Sequence, residues 1–179
     1  MSIHKTAIIH PKAKIPLDIE VGPHTTIGEN VTIGKGVKIG SFCVIDGNTS
    51  IGDGCQIFTG AVVGSIPQDL KYQGEKSFLK IGRNNIIREY ATMNLGTGDG
   101  GQTQIGDDNL FMAYSHIAHD CVVGNDTIIA NCGTLAGHVT IEDRAVVGGL
   151  VAIHQFCKMG EISIVGGCSK VVQDIPPFS

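Results

Sequence analysis

A repeat of six residues runs through the chain and constrains its fold more than any other feature of the sequence. Of the 29 positions taken at every sixth residue from Ile3 to Val171, 26 are large apolar residues. A period of six fits neither the 3.6-residue period of a helix nor the alternation of an isolated strand. It is typical of a solenoid in which a short strand and a turn repeat, with each apolar side chain pointing into a narrow core.

The composition fits such a solenoid. Glycine accounts for 25 of the 179 residues, aromatic residues for 5%, and there is no Trp. Glycine suits tight corners, and a narrow aliphatic core leaves no room for an indole ring. We therefore predict an all-β fold and a single domain that spans residues 1–179.

Three breaks in the repeat fall in two segments, at residues 65–79 and 96–104, and the phase is restored after each. They predict two loops that project from the solenoid. Long loops on a solenoid usually lie at its functional face, the alternative being decoration without a function.

Charge and targeting signals exclude several classes of protein. The net charge of −4 provides no basic face for a nucleic-acid backbone, so we predict no nucleic-acid partner. There is no apolar run of transmembrane length and no signal peptide, which predicts a cytoplasmic protein without a transmembrane segment. The six cysteines include no Cys-x-x-Cys pair, so we expect free thiols in a reducing compartment.

The repeat resembles that of the hexapeptide-repeat acyltransferases. This resemblance implies a left-handed parallel β-helix in which three hexads form one triangular coil. Residues eighteen apart then lie directly above one another in the uninterrupted stretch from Ile105 to Val171. Four of the seven histidines fall in one strip that is three coils, or about 10 Å, tall; they are His116, His119, His138 and His154.

Within this strip, His119 stacks below Gly137 and Gln155, and Asp120 stacks below His138. A histidine titrates near neutral pH and can act as a general base, and a nearby carboxylate can fix its tautomer. The alternative is a group of surface histidines at a corner, which four residues in one strip disfavour.

Two other uses of these residues are less favoured. A zinc site needs three ligands close to one ion, and zinc-binding members of this fold carry two histidines five residues apart, whereas His116 and His119 are three apart. We therefore predict neither a metal nor a cofactor. Cys121 could act as a nucleophile beside His119, but a small residue in a strand is the favoured interpretation.

Several segments resemble the UDP-N-acetylglucosamine O-acyltransferases of lipid A synthesis, and the resemblance covers nearly the whole chain. The segments are Gln68–Tyr72, His116–Cys121, Leu135–His138, Ile153–Cys157, Val165–Ser169 and Gln173–Pro177.

The resemblance implies a role for each matching residue. His119 would be the general base for the 3-hydroxyl of UDP-N-acetylglucosamine, Asp120 would orient it, and the N–H of Gly137 would stabilise the oxyanion. The acyl donor would be acyl carrier protein, and Gly167 would form the floor of the acyl-chain groove. The implied substrate-binding residues are Asp69, Lys71, His116, His138, His154 and Gln155. The resemblance also implies a homotrimer with each site between two subunits.

Two departures from the family pattern concern binding. The family continues beyond the Pro-Pro segment into a helical domain, whereas this sequence stops at Ser179, so we expect a fragment or a short relative with weakened substrate binding. Leu95 stands where the family commonly has a basic residue.

The alternatives to this function are an N-acyltransferase acting on a UDP-amino sugar, an acyl-CoA-dependent acyltransferase, a non-catalytic trimeric scaffold, and a metal-dependent enzyme.

Overall fold

Short parallel strands build the whole chain. A computed structural model describes residues 2–179 and contains no helix in that range. The strands form three parallel sheets, which we name faces A, B and C, and successive strands along the chain visit the faces in turn. The chain is therefore a parallel β-helix in the form of a three-sided prism.

The strands are numbered in chain order and grouped by face. Face A contains β1 Ser2–Ile3, β3 Glu20–Val21, β6 Lys38–Ile39, β9 Gln56–Ile57, β12 Ile86–Ile87, β15 Leu110–Phe111, β18 Ile128–Ile129, β21 Val146–Val147 and β24 Ile164–Val165. Face B contains β2 Ile8–Ile9, β4 Thr26–Ile27, β7 Val44–Ile45, β10 Val62–Ser65, β13 Thr92–Asn94, β16 His116–Ile117, β19 Thr134–Leu135, β22 Ala152–Ile153 and β25 Lys170–Val171. Face C contains β5 Thr32–Ile33, β8 Asn48–Ile51, β11 Phe78–Ile81, β14 Gln102–Ile105, β17 Val122–Val123, β20 Thr140–Ile141 and β23 Lys158–Met159.

The predicted apolar positions form the core. In the two-residue strands, the last residue points inward and the first points out, as in β18, where Ile129 is fully buried and Ile128 is 37% exposed. Because no side of the prism is wider than a few residues, aliphatic side chains fill the interior, and the single Phe in the core is Phe111.

The stacking of residues eighteen apart is confirmed by the strand register. On face B, Ile117 pairs with Leu135, and Leu135 pairs with Ile153. One coil of this stretch is therefore eighteen residues long, and each residue lies next to its counterpart in the following coil.

The corners of the prism depend on the left-handed backbone conformation. Sixteen non-glycine residues between 2 and 179 have a positive φ, and fifteen of them come three residues after an inward-pointing residue. Asp120, His138 and Phe156, with φ of 59°, 62° and 66°, occupy one column of such corners. Each corner of this kind costs roughly 1 kcal/mol, so the cooperative ladder on either side must hold it in place.

Both interruptions of the repeat emerge at the edge where face B passes into face C, which we call the B–C edge. The strands end at Ser65 and resume at Phe78, and they end again at Asn94 and resume at Gln102. Residues 66–77 and 95–101 therefore lie outside the ladders. The two loops touch, since the Gly100 N–H donates to the carbonyl of Lys76 at 2.8 Å.

No helix within residues 2–179 has the length and apolar character that a membrane span requires.

We predict that core and surface isoleucines of face A differ sharply in their contribution to stability. Ile129→Ala removes fully buried methyl groups and should lower the free energy of unfolding by about 2–5 kcal/mol. Ile164→Ala, at a side chain that is 64% exposed, should cost less than about 1 kcal/mol. Denaturant titration at one fixed protein concentration measures both, and equal losses would contradict the assignment of the core.

Candidate active site

The B–C edge gathers the predicted histidine cluster. His119 and Asp120 form the corner that follows β16, and Gly137 and His138 form the same corner one coil further on. The two corners are joined by a hydrogen bond from the His138 N–H to the His119 carbonyl at 3.0 Å. The next coil continues the column, because the Phe156 N–H donates to the Gly137 carbonyl at 3.2 Å.

His119 and Asp120 form a hydrogen-bonded pair. The His119 Nδ1 lies 2.8 Å from the Asp120 Oδ2, and only 10% and 14% of the two side chains are exposed. Such shielding from water strengthens the electrostatic interaction between them.

The Asp120 carboxylate is held in its charged form. Burial acts to raise its pKa, but hydrogen bonds from the Thr97 hydroxyl, from His119 and from the Thr97 N–H outweigh burial, so that the pKa lies below its ordinary value. An ionised carboxylate only accepts hydrogen bonds. Nδ1 of a neutral His119 ring must therefore carry the proton, which leaves Nε2 with a free lone pair.

Gly137 gives the imidazole of His119 its space. A Cβ atom at position 137 would lie 2.4 Å from Cε1 and 2.5 Å from Nε2 of His119, closer than real contacts allow. The Gly137 N–H donates to no backbone carbonyl within residues 2–179. The glycine that packs against the His119 ring therefore also has an N–H without a backbone acceptor in this part of the chain.

Aromatic contacts fix the next ring in the column. His138 stacks on Phe156 with ring centroids 4.7 Å apart, and it lies nearly perpendicular to the His119 ring with centroids 5.1 Å apart. The Nε2 of His138 lies 3.7 Å from the Asp120 carboxylate, too long for a direct hydrogen bond.

His116 lies next to His119, and its surroundings favour the neutral form of its ring. Burial lowers its pKa, and the nearby His119 lowers it further. Its Nδ1 lies 2.7 Å from the Thr92 hydroxyl, on the strand paired with β16. His116 can therefore offer Nε2 to a ligand without carrying a charge.

Of the other predicted site residues, some lie at the B–C edge and others lie elsewhere on the chain. His154 and Gln155 lie on the same edge, in the coil of Phe156, and both are exposed. Asp69 and Lys71 lie on the loop of residues 66–77, joined to each other by a 2.9 Å bond from the Lys71 N–H to the Asp69 carboxylate. Gly167 lies on a different edge of the prism, between β24 of face A and β25 of face B.

Three potential metal ligands occur in the cluster. Atoms of His119, Asp120 and His138 lie within 4.8 Å of one another, the only such group of three in residues 2–179. The Asp120 Oδ2 already accepts hydrogen bonds at 2.6 Å from Thr97 and at 2.8 Å from His119. An ion would have to replace both bonds, so the donor set fits a proton-transfer pair better than a coordination sphere.

The structure settles the surroundings of three further residues. Alternation directs Ala118 outward, yet it is only 8% exposed. Leu95, at the position where the family commonly has a basic residue, is buried in the core cluster, and phosphate would find no cation there. Burial raises the pKa of Cys121 to about 12, which makes its thiol a core group and a poor nucleophile.

The sequence-based prediction did not include Thr97, Phe156 or Thr92. Phe156 follows Asp120 by two coils, so the same eighteen-residue arithmetic could have found it. Thr92 pairs with His116 across an interval of 24 residues, because the second loop lengthens that coil. Thr97 lies inside the loop, where no periodicity applies.

Known proteins show the same repeat and fold. The bacterial transferase hexapeptide family (six repeats) matches residues 30–65 and 102–137. The relative from Aliarcobacter butzleri, named acyl-acyl-carrier-protein–UDP-N-acetylglucosamine O-acyltransferase, is 55% identical over 99% of this chain and 68% of its own length. A relative of the same name from Synechocystis is 52% identical over 76% of this chain and 49% of its own length. The chain therefore spans between half and about two thirds of the length of these relatives.

A solved structure of LpxA from Acinetobacter baumannii superposes with a TM-score of 0.96 and 49% identity, covering 98% of this chain and 69% of the other. Superposition preserves the hand of the coil, and the fold is the left-handed parallel β-helix that the resemblance implied.

We predict that Cys121 stays unmodified in the folded protein. Because its pKa is about 12 and its side chain is buried, almost no thiolate forms at pH 8, so iodoacetamide should label it only after unfolding in urea. Peptide mass mapping measures the labelling, and the urea sample is the control for reagent access. Fast labelling of the native protein would contradict the structural role of this thiol.

Proposed function

The chain belongs to the family of UDP-N-acetylglucosamine O-acyltransferases, and on that premise we propose that it transfers a 3-hydroxyacyl chain from acyl carrier protein to the 3-hydroxyl of UDP-N-acetylglucosamine. This reaction is the first step of lipid A synthesis. The observation that carries the proposal is the His119–Asp120 pair packed against Gly137, whose N–H has no backbone acceptor within residues 2–179. The free thiols of all six cysteines support a reducing, cytoplasmic location.

His119 acts as the general base in this proposal. With its Nδ1–H donated to Asp120, the ring accepts the proton of the sugar 3-hydroxyl at Nε2. The resulting imidazolium is stabilised by the charged carboxylate 2.8 Å away. A positioned base of this kind contributes about 10²–10⁴ in rate.

The hydroxyl oxygen then attacks the carbonyl carbon of the acyl thioester. The negative charge that develops on the carbonyl oxygen is stabilised by the Gly137 N–H, and one such donor contributes about 3 kcal/mol. When the intermediate collapses, the carbon–sulfur bond breaks, and the proton on His119 passes to the leaving thiolate of the carrier. No nucleophilic side chain is needed, because the thioester is already activated.

Six further residues are proposed to bind the substrate. His138, His154 and Gln155 share the B–C edge with His119, and His116 lies on the adjoining strand β16 of face B, which supports contacts to the sugar and the acyl chain. Asp69 and Lys71 project on the adjoining loop, and no ion pair within residues 2–179 occupies the Lys71 ammonium, which leaves it available for a diphosphate.

The separation of Gly167 from His119 supports a homotrimer with each site between two subunits. Gly167 lies on the edge between faces A and B, which we call the A–B edge, and an acyl groove that contains both residues needs a second chain. The corners of the A–B edge carry a column of apolar side chains that are 50–62% exposed, namely Phe42, Tyr90, Tyr114 and Leu150. Such a column is suited to burial against a neighbouring subunit.

An acyl-transfer assay tests the proposed reaction. Incubation with UDP-N-acetylglucosamine and 3-hydroxyacyl carrier protein should yield an ester at the sugar 3-position, detected by mass spectrometry. His119→Ala should lower kcat by about 10²–10⁴-fold, because the base is lost. His4→Ala is the matched control, since His4 is exposed on the first coil, and it should retain full turnover.

The result also separates the alternatives. Normal turnover in His119→Ala would exclude His119 as the base. Acylation of a UDP-amino sugar in place of the hydroxyl substrate would identify an N-acyltransferase, and activity with acyl-CoA alone would replace the carrier as the donor.

We predict that Leu150→Arg disrupts the trimer. Leu150 is 62% exposed in the single chain, and a charge there would be buried without a partner in the proposed interface. Light scattering after size exclusion should give a trimer for the wild type and smaller species for the variant. Leu17→Arg, at a residue that is 79% exposed on another edge, is the control and should remain trimeric. A trimeric Leu150→Arg would exclude the A–B edge as the interface.

A further inference from the structure

One loop residue outside the histidine strip makes three hydrogen bonds to the catalytic carboxylate. The N–H of Thr97 donates to Asp120 Oδ1 at 3.0 Å and to Oδ2 at 3.1 Å, and the Thr97 hydroxyl donates to Oδ2 at 2.6 Å. The hydroxyl bond is the shortest bond to this carboxylate, shorter than the bond from His119 itself.

Other groups near Asp120 cannot replace these bonds. The Thr103 hydroxyl accepts the backbone N–H of Asp120 at 2.9 Å, which fixes the main chain and leaves the carboxylate free to rotate. His138 remains 3.7 Å away. Thr97 and His119 are therefore the two residues between 2 and 179 whose hydrogen bonds hold the carboxylate.

The loop backbone is built to bring Thr97 to this position. A Cβ atom at Gly96 would lie 2.8 Å from Asp120 Oδ1 and 2.3 Å from the Gln102 nitrogen, so only glycine permits the approach. A Cβ at Gly101 would lie 1.6 Å from the Thr97 carbonyl oxygen, so the turn also closes tightly on its other side. The tight conformation of this loop segment therefore places Thr97 in contact with Asp120.

We propose that Thr97 is a positioning residue for the general base, acting through Asp120. Its hydroxyl fixes the rotamer of the carboxylate and satisfies the lone pair of Oδ2 that His119 does not use. The remaining lone pair then points at Nδ1, which keeps the proton on Nδ1 and leaves Nε2 free. The effect of Thr97 on the reaction rate rests on the proposed acyl transfer. The tautomer of His119 can be measured independently of any reaction.

The test combines kinetics with a tautomer measurement. Thr97→Val keeps the shape and both N–H bonds but removes the hydroxyl, whereas Thr97→Ser keeps the hydroxyl. Thr140→Val is the matched control, because the Thr140 hydroxyl makes no hydrogen bond within residues 2–179. The ¹⁵N shifts of the His119 ring at pH 8, identified by their loss in His119→Ala, report which nitrogen carries the proton.

We expect the wild type, Thr97→Ser and Thr140→Val to show the Nδ1–H tautomer, and Thr97→Val to show a mixture of tautomers. In the acyl-transfer assay, Thr97→Val should lower kcat roughly tenfold to a hundredfold, because one hydrogen bond to a charged group is lost. Its KM should stay within about threefold of the wild-type value. Thr97→Ser should restore kcat to within about threefold of the wild type.

Two results would overturn the assignment. One is an unchanged tautomer and unchanged kcat in Thr97→Val. The other is equal damage in Thr97→Ser and Thr97→Val with a lowered melting temperature, which would make Thr97 a purely structural loop residue. If the wild type transfers no acyl group, the proposed function fails, and the tautomer of Thr97→Val still decides the role of Thr97.

Discussion

The parallel ladder between successive coils is the interaction on which the rest of this structure depends. It converts residues that are eighteen apart in the sequence into neighbours less than about 5 Å apart. Asp120, His138 and Phe156 form one column because they are eighteen residues apart, so that each occupies the same corner of successive coils. A one-residue slip of any coil would turn core residues outward and break the column. The strand register therefore determines both the stability of the core and the geometry of the site.

The left-handed corners add direction to this stacking. A residue in the ordinary β conformation would continue the strand, whereas Asp120 at φ 59° turns the chain and carries its carboxylate beside the ring of His119. The strain of that corner is local, and the ladders on both sides supply the stability that opposes it. The site therefore gains a rigid His–Asp pair without any helix or disulfide bond within residues 2–179.

Periodicity explains how far the sequence could predict the structure. The hexads identify which residues point inward, and eighteen-residue arithmetic places His119 next to Gly137, where the space for a Cβ is missing. The same arithmetic is silent within the two loops, and for this reason it misses Thr97, the residue with the shortest hydrogen bond to Asp120. It also separates Gly167 from His119, because the 48 positions between them are not a multiple of eighteen, and the strand order places Gly167 at the A–B edge.

The position of the loops gives the site its asymmetry. A regular prism offers three equivalent edges, but both interruptions leave the ladder at the B–C edge, immediately before the coils that carry His119 and His138. The loop of residues 95–101 brings Thr97 to the carboxylate. The loop of residues 66–77 carries Asp69 and Lys71 and is joined to the other loop by the hydrogen bond between Gly100 and Lys76. At this edge the His119–Asp120 pair is already hydrogen-bonded, whereas His154 and Gln155 are exposed and available to a second component. In the proposed trimer, Gly167 on the A–B edge of a neighbouring copy is the complementary half of that surface, and for this physical reason we propose that each site lies between two copies of this chain.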